Sequence, residues 1–121
     1  MSAYVVTIPG DESAWAARTD DEWRAVDAAH SAFYRALLER GHTVVVSHQL
    51  THSREAKVAR GTGDQVRVTD GPFAETVEQI GGLYVIDTTD VDDLMQLVTE
   101  LARTEQAVEV RPTVDHSGGV S

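Results

Sequence analysis

The sequence predicts an α+β domain in which an antiparallel sheet carries two helices on one face and holds an inserted β-hairpin. Three observations predict it. Two segments, near residues 19–40 and 90–103, combine helical periodicity with N-terminal caps. Short β-branched and aromatic runs flank and separate them at Tyr4–Ile8, Thr43–Leu50, Leu83–Asp87 and Ala107–Val114. A less apolar pair, Ala56–Ala59 and Gln65–Val68, brackets Gly61-Thr62-Gly63-Asp64, the composition of a hairpin turn.

Each element follows from its residues. Tyr4–Ile8 is a strand stopped by Pro9-Gly10-Asp11, a turn sequence, and Ser13–Arg18 forms a brief helical turn carrying Trp15. The first helix opens at Thr19, where Thr19 and Glu22 have capping-box spacing and Asp20, Asp21 and Glu22 complement the helix dipole. Its buried stripe is Trp23, Val26, Phe33 and Leu37, interrupted by one titratable residue, His30, and Gly41 ends it. The second helix is capped by Thr89 or Asp90, with Asp92 and Asp93 in its first turn and Val91, Leu94, Val98 and Leu101 as its stripe. Residues 1–114 read as one domain and 115–121 as a loose tail.

Without the hairpin, the order strand, helix, strand, strand, helix, strand is the ferredoxin-like arrangement. The hairpin is expected to extend the sheet or cover one of its edges. Strand parity adds an assembly. Tyr4, Val6 and Ile8 share one face while Val5 takes the other, and Leu83 and Val85 oppose Tyr84 and Ile86. Two helices cover one face only, so the apolar residues on the other predict a homodimer.

Composition excludes several classes of function. The 121 residues have a formal charge of −10, with 10 basic against 20 acidic side chains and no basic run. Phosphate backbones demand clustered Lys and Arg, so no nucleic acid and no anionic membrane is expected as a partner. Zero cysteines exclude disulfides and thiolate metal sites. The N-terminus lacks the basic and long apolar regions of a signal peptide, and a cytoplasmic location is expected.

Metal and cofactor chemistry find no support either. His42 and His48 are separated by roughly 20 Å along an extended strand at about 3.3 Å per residue, too far to share one ion. Asp87, Asp90, Asp92 and Asp93 lack calcium-loop spacing, and there is no phosphate-cradling glycine loop and no activated-serine motif. No metal and no cofactor is therefore expected.

His30 is the strongest candidate for chemistry. An imidazole on an apolar stripe is either a general acid–base or a core histidine bonded to backbone. Asp70 heads the turn Asp70-Gly71-Pro72-Phe73, where it either orients His30 or caps the turn through its own carboxylate. Phe73 anchors that loop in apolar surroundings. It is counted with Tyr4, Tyr84, Glu109 and Arg111 among the candidate substrate-binding residues; Glu109 and Arg111 share one strand face and form either a binding pair or an ion pair.

The segment Thr69-Asp70-Gly71-Pro72-Phe73-Ala74-Glu75-Thr76 resembles the signature of the DGPF branch of the YCII-related proteins. Glu78–Asp87 and Val108-Glu109-Val110-Arg111-Pro112 are similar to the same pattern, so the resemblance covers essentially the whole chain. It implies a dimeric α+β barrel and no single activity; in the wider superfamily the resemblance points to a His–Asp pair as an acid–base site, including for elimination on small ring compounds. His30 resembles the superfamily's helix histidine. The superfamily's aspartate usually stands in an Asp-Pro element after the second helix. This sequence has Arg103-Thr104-Glu105-Gln106 there, which leaves Asp70 as the candidate partner. Two functions stay open: a small cofactor-independent enzyme, or a non-catalytic dimeric module that binds a small ligand or a regulatory protein.

Overall fold

A computed structural model describes residues 2–116; the rest of the expected tail lies outside the described residues. In chain order the elements are β1 (Ser2–Asp11), α1 (Glu12–Ala16), α2 (Asp20–Glu39), β2 (Thr43–Gln49), a 3-10 turn (Ser53–Glu55), β3 (Lys57–Thr62), β4 (Gln65–Asp70), β5 (Glu78–Thr88), α3 (Val91–Glu105) and β6 (Glu109–Pro112). The main sheet has the order β2-β5-β1-β6 and is antiparallel throughout. This is the ferredoxin-like α+β arrangement that the element order predicts.

The helices start where their caps place them. Thr19 accepts from the Glu22 amide at 3.1 Å, and Glu22 accepts from the Thr19 amide at 3.0 Å, so both halves of the capping box are made. Asp90, rather than Thr89, caps α3 by accepting from the Asp93 amide at 3.0 Å. Both helices lay their apolar stripes on Val6, Ile8, Tyr84 and Ile86 of the two central strands, and Phe33, Leu37, Leu94 and Leu101 fill the space between.

Two local readings need correction. Pro9-Gly10-Asp11 is not a turn: β1 continues through it to Asp11, with a register shift between Ile8 and Pro9. β6 pairs only with Tyr4–Thr7, so Pro9 lies beyond it and its missing N–H costs no ladder bond there. Of the two alternatives for the hairpin, extension of the main sheet is the one that fails. β3 and β4 form a separate two-stranded sheet turning at Gly63-Asp64, and every residue of β4 is exposed. Gly63 has φ 56°, the positive value that two-residue hairpin turns require at their first central position.

The face of the main sheet away from the helices is apolar at its centre. Val5 pairs with Val85 and Val85 with Val46, which sets three valines in a row across three strands. No helix among the described residues is long and apolar enough to cross a membrane.

Candidate functional site

Two helix stripes build the site. On α2 the stripe runs Val26, His30, Phe33, Leu37; on α3 it runs Leu94, Val98, Leu101 and then Glu105. The helices pack side by side, so the one titratable residue on each stripe faces the other. His30 Nε2 lies 2.6 Å from a Glu105 carboxylate oxygen. The other carboxylate oxygen accepts from Arg18 at 3.0 Å. Arg18 in turn lies with its guanidinium 4.7 Å above the Trp23 ring, a cation–π contact that fixes its position.

Glu105 is held as a carboxylate. Burial pulls its carboxyl up, but the hydrogen bonds and positive charges of His30 and Arg18 outweigh burial and hold it below the ordinary 4.5. Its side chain is only 6% exposed. A carboxylate only accepts, so Nε2 of His30 carries the proton. In the neutral imidazole Nδ1 is then an acceptor, and the Tyr84 hydroxyl stands 2.5 Å from it. Burial first, and the Glu105 charge second, push the Tyr84 phenol up to about 12. The group is thus a chain: Arg18, Glu105, His30, Tyr84.

This chain borders a cavity of about 470 Å³ lined also by Trp15, Trp23, Val26 and Ser47. That volume suits a small organic molecule. Trp15 forms one wall because two backbone positions leave room for its indole. A Cβ on Gly10 would meet the indole at 2.5 Å and one on Gly81 at 2.6 Å. The segment after β2 is tied to the same wall: Glu12 of α1 accepts from the Ser53 amide at 2.7 Å and from its hydroxyl at 2.5 Å, and the Leu50 amide donates to the Gly81 carbonyl at 2.8 Å.

The sequence candidates fall in different places. His30 and Tyr84 meet in the site. Asp70 does not: it ends β4 on the hairpin, with its exposed carboxylate 2.9 Å from Lys57 Nζ, and does not line the cavity. The acid beside His30 is Glu105. Phe73, expected in apolar surroundings, is 73% exposed and lies under the Arg60 guanidinium at 4.6 Å. Glu109 and Arg111 pair with Thr7 and Val5, which puts them on the sheet face away from the helices, in an ion pair of 3.0 Å. Tyr4 packs against the core cluster and does not line the cavity.

Sequence reasoning missed Glu105, Arg18 and the cavity roles of both tryptophans. A signal for Glu105 was present: it stands four residues after Leu101 on the α3 stripe, as His30 stands four after Val26. Arg18 precedes any periodic segment, and nothing in its neighbourhood marks it.

Of the remaining histidines, His48 and His52 line the same cavity as His30. His42 is buried and locked between the Thr88 hydroxyl and Asp93, each at 2.7 Å, where it ties the end of α2 to the start of α3. His52 lies 3.6 Å from Glu12. Among the described residues no three His, Asp or Glu side chains come together to hold a metal ion.

Comparison with known proteins bears on the whole chain. The YCII-related domain matches residues 2–117. An uncharacterised protein of Rhizobium meliloti (strain 1021) is 31% identical over 119 residues, covering 96% of this chain and 95% of that protein.

Proposed function

The chain belongs to the YCII-related family, and from that premise we propose that it is a small cofactor-independent enzyme that moves a proton on a small, flat substrate. The observation that carries this is the His30–Glu105 pair at the edge of an aromatic-walled cavity. Glu105 fixes the imidazole's tautomer and orientation and stabilises the imidazolium that forms when His30 takes up a proton. Trp15 and Trp23 offer flat apolar walls to a ring, and the cavity accommodates one or two rings. Isomerisation and elimination both need one group that accepts a proton and returns it, which a single imidazole supplies.

The enzyme acts as a homodimer. The row Val46, Val85, Val5 on the helix-free sheet face and the exposed Val66, Val68 and Phe73 of the hairpin region leave apolar surface that a second copy would cover. The same exposed residues favour the second reading, a non-catalytic interaction module.

A chromogenic proton-abstraction probe decides between them. In 5-nitrobenzisoxazole a base removes the ring C–H, the N–O bond breaks, and a coloured cyanophenolate appears. Wild-type protein is expected to accelerate this over buffer, and His30→Gln to lose about 10²–10⁴-fold of the acceleration. Equal rates for wild type and His30→Gln, with both folded by circular dichroism, would remove the enzymatic reading and leave the module.

A further inference from the structure

Both ring nitrogens of His30 are already engaged, Nε2 by Glu105 at 2.6 Å and Nδ1 by Tyr84 at 2.5 Å. The imidazole and phenol planes lie within 11° of each other with centroids 5.9 Å apart. With the hydroxyl at hydrogen-bond distance from Nδ1, that geometry sets the two rings edge to edge, oxygen against nitrogen, and not face to face. A ligand in the cavity therefore reaches Nδ1 only by displacing the tyrosine.

Tyr84 is poorly placed to move aside. It is 5% exposed, sits in the middle of β5, one of the two central strands, and packs edge-on against Phe33 with centroids 5.1 Å apart. Yet it lines the cavity, and when its hydroxyl donates to Nδ1 of the neutral imidazole its oxygen keeps acceptor capacity. Ser47 is its cross-strand neighbour and lines the cavity beside it.

We propose that the Tyr84 hydroxyl is the group that exchanges a proton with the substrate, and that His30 and Glu105 hold that proton behind it. The proposal rests on the acid–base reading above and names the atom through which it works. In the forward step the substrate's C–H bond breaks and its proton goes to Tyr84 Oη. The proton that Oη carried goes to His30 Nδ1, and the electron pair of the C–H bond stays on the substrate. The product is an imidazolium paired with the Glu105 carboxylate, and the phenol is neutral before and after. A phenol pushed up to about 12 makes a free phenolate costly near neutral pH, and passing the proton straight on avoids forming one. Reversal returns a proton to another substrate atom in an isomerisation, or to a leaving group in an elimination. The class of substrate is a small ring compound whose C–H is acidified by a neighbouring carbonyl or comparable acceptor.

Two measurements with 5-nitrobenzisoxazole test the relay. Tyr84→Phe is expected to fall to the rate of His30→Gln, a loss of about 10²–10⁴-fold. If His30 instead met the substrate directly, removing the hydroxyl would uncover Nδ1, and Tyr84→Phe would keep or exceed the wild-type rate. That result removes the relay and leaves the acid–base reading standing, whereas equal rates for wild type and His30→Gln remove both. The second measurement needs no variant. The probe's C–H does not exchange with solvent, so running the wild-type reaction in D2O slows the step only if the Tyr84 O–H moves with it. A rate clearly slower in D2O than in H2O supports the relay; equal rates in the two solvents overturn it.

Discussion

Removing the Glu105 carboxylate tests the architecture of the site without any knowledge of its substrate. In Glu105→Ala, Arg18 and His30 lose the acceptors that stand 3.0 and 2.6 Å away. The Arg18 side chain is 15% exposed and that of His30 26%. Water reaches these partners only in part, so the guanidinium is left largely unsolvated and unpaired. Breaking such a buried pair from one side costs about 3–5 kcal/mol. The cation–π contact with Trp23 survives, which sets the expectation near the lower bound, about 3 kcal/mol. For a domain of this size that lowers the Tm by roughly 10–15 °C, out of a total stability of about 5–15 kcal/mol. Urea unfolding of wild type, Glu105→Ala and the double variant Arg18→Met/Glu105→Met measures it. The double variant is expected to recover more than half of the loss, because it removes the stranded charge and not only its partner. A Glu105→Ala protein within about 1 kcal/mol of wild type, or a double variant no more stable than Glu105→Ala, would refute the ion-pair account.

Other expectations follow from the same geometry. Glu105 and Asp93 are both held below their ordinary values, Asp93 chiefly by the hydrogen bond from His42 and despite some desolvation. Their contribution to stability is complete above the ordinary values of 4.5 and 3.8 and is lost as pH falls through the lower folded values. Urea midpoints measured from about pH 5 downward should therefore drop more steeply for wild type than for Glu105→Gln/Asp93→Asn; parallel curves would contradict this. Tyr84 has the opposite sign: its raised value stabilises the fold below 10.0, and that stability is lost between 10.0 and about 12. Absorbance titration should show a late tyrosine ionisation in wild type that is lost in Tyr84→Phe. Gly81→Ala would put a methyl 2.6 Å from the Trp15 indole, expelling that wall at a cost of about 1–3 kcal/mol and shifting tryptophan emission; an unchanged spectrum and stability would count against the wall. Light scattering should give twice the 13.2 kDa chain mass, and a monomer at micromolar concentration would defeat the proposed dimer.

Periodicity and capping made the fold readable in advance. Thr19 with Glu22, Asp90 with the Asp93 amide, and the two apolar stripes place both long helices within a residue or two. The turn at Pro9-Gly10 was misread because composition cannot register that β6 stops short of Pro9. Gly10 and Gly81 were equally opaque: each reads as a breaker, while what they do is admit the indole of Trp15.

The site divides along the same line. His30 stood out as a polar residue on an apolar stripe, and Glu105 obeys that criterion on the other helix. Asp70 drew attention as part of a distinctive loop, but loop residues owe their identity to turn chemistry and strand ends as readily as to a site. Here the register of the hairpin pairs Asp70 with Lys57 and leaves both exposed. Two facing stripes with one titratable residue each are a stronger argument than a motif, because helix packing forces those residues together. Burial then demands that they satisfy one another. The acid of this site therefore stands on the last residue of α3 instead of in a following Asp-Pro element. Just after it, Gln106 turns the chain at φ 73°, a conformation that costs a residue with a side chain about 1–3 kcal/mol. If that turn exists to aim Glu105, Gln106→Gly should relieve the strain and keep the His30-dependent rate. Lengthening the helix with an alanine inserted between Thr104 and Glu105 should abolish that rate, since one residue rotates the carboxylate by about 100° away from the imidazole.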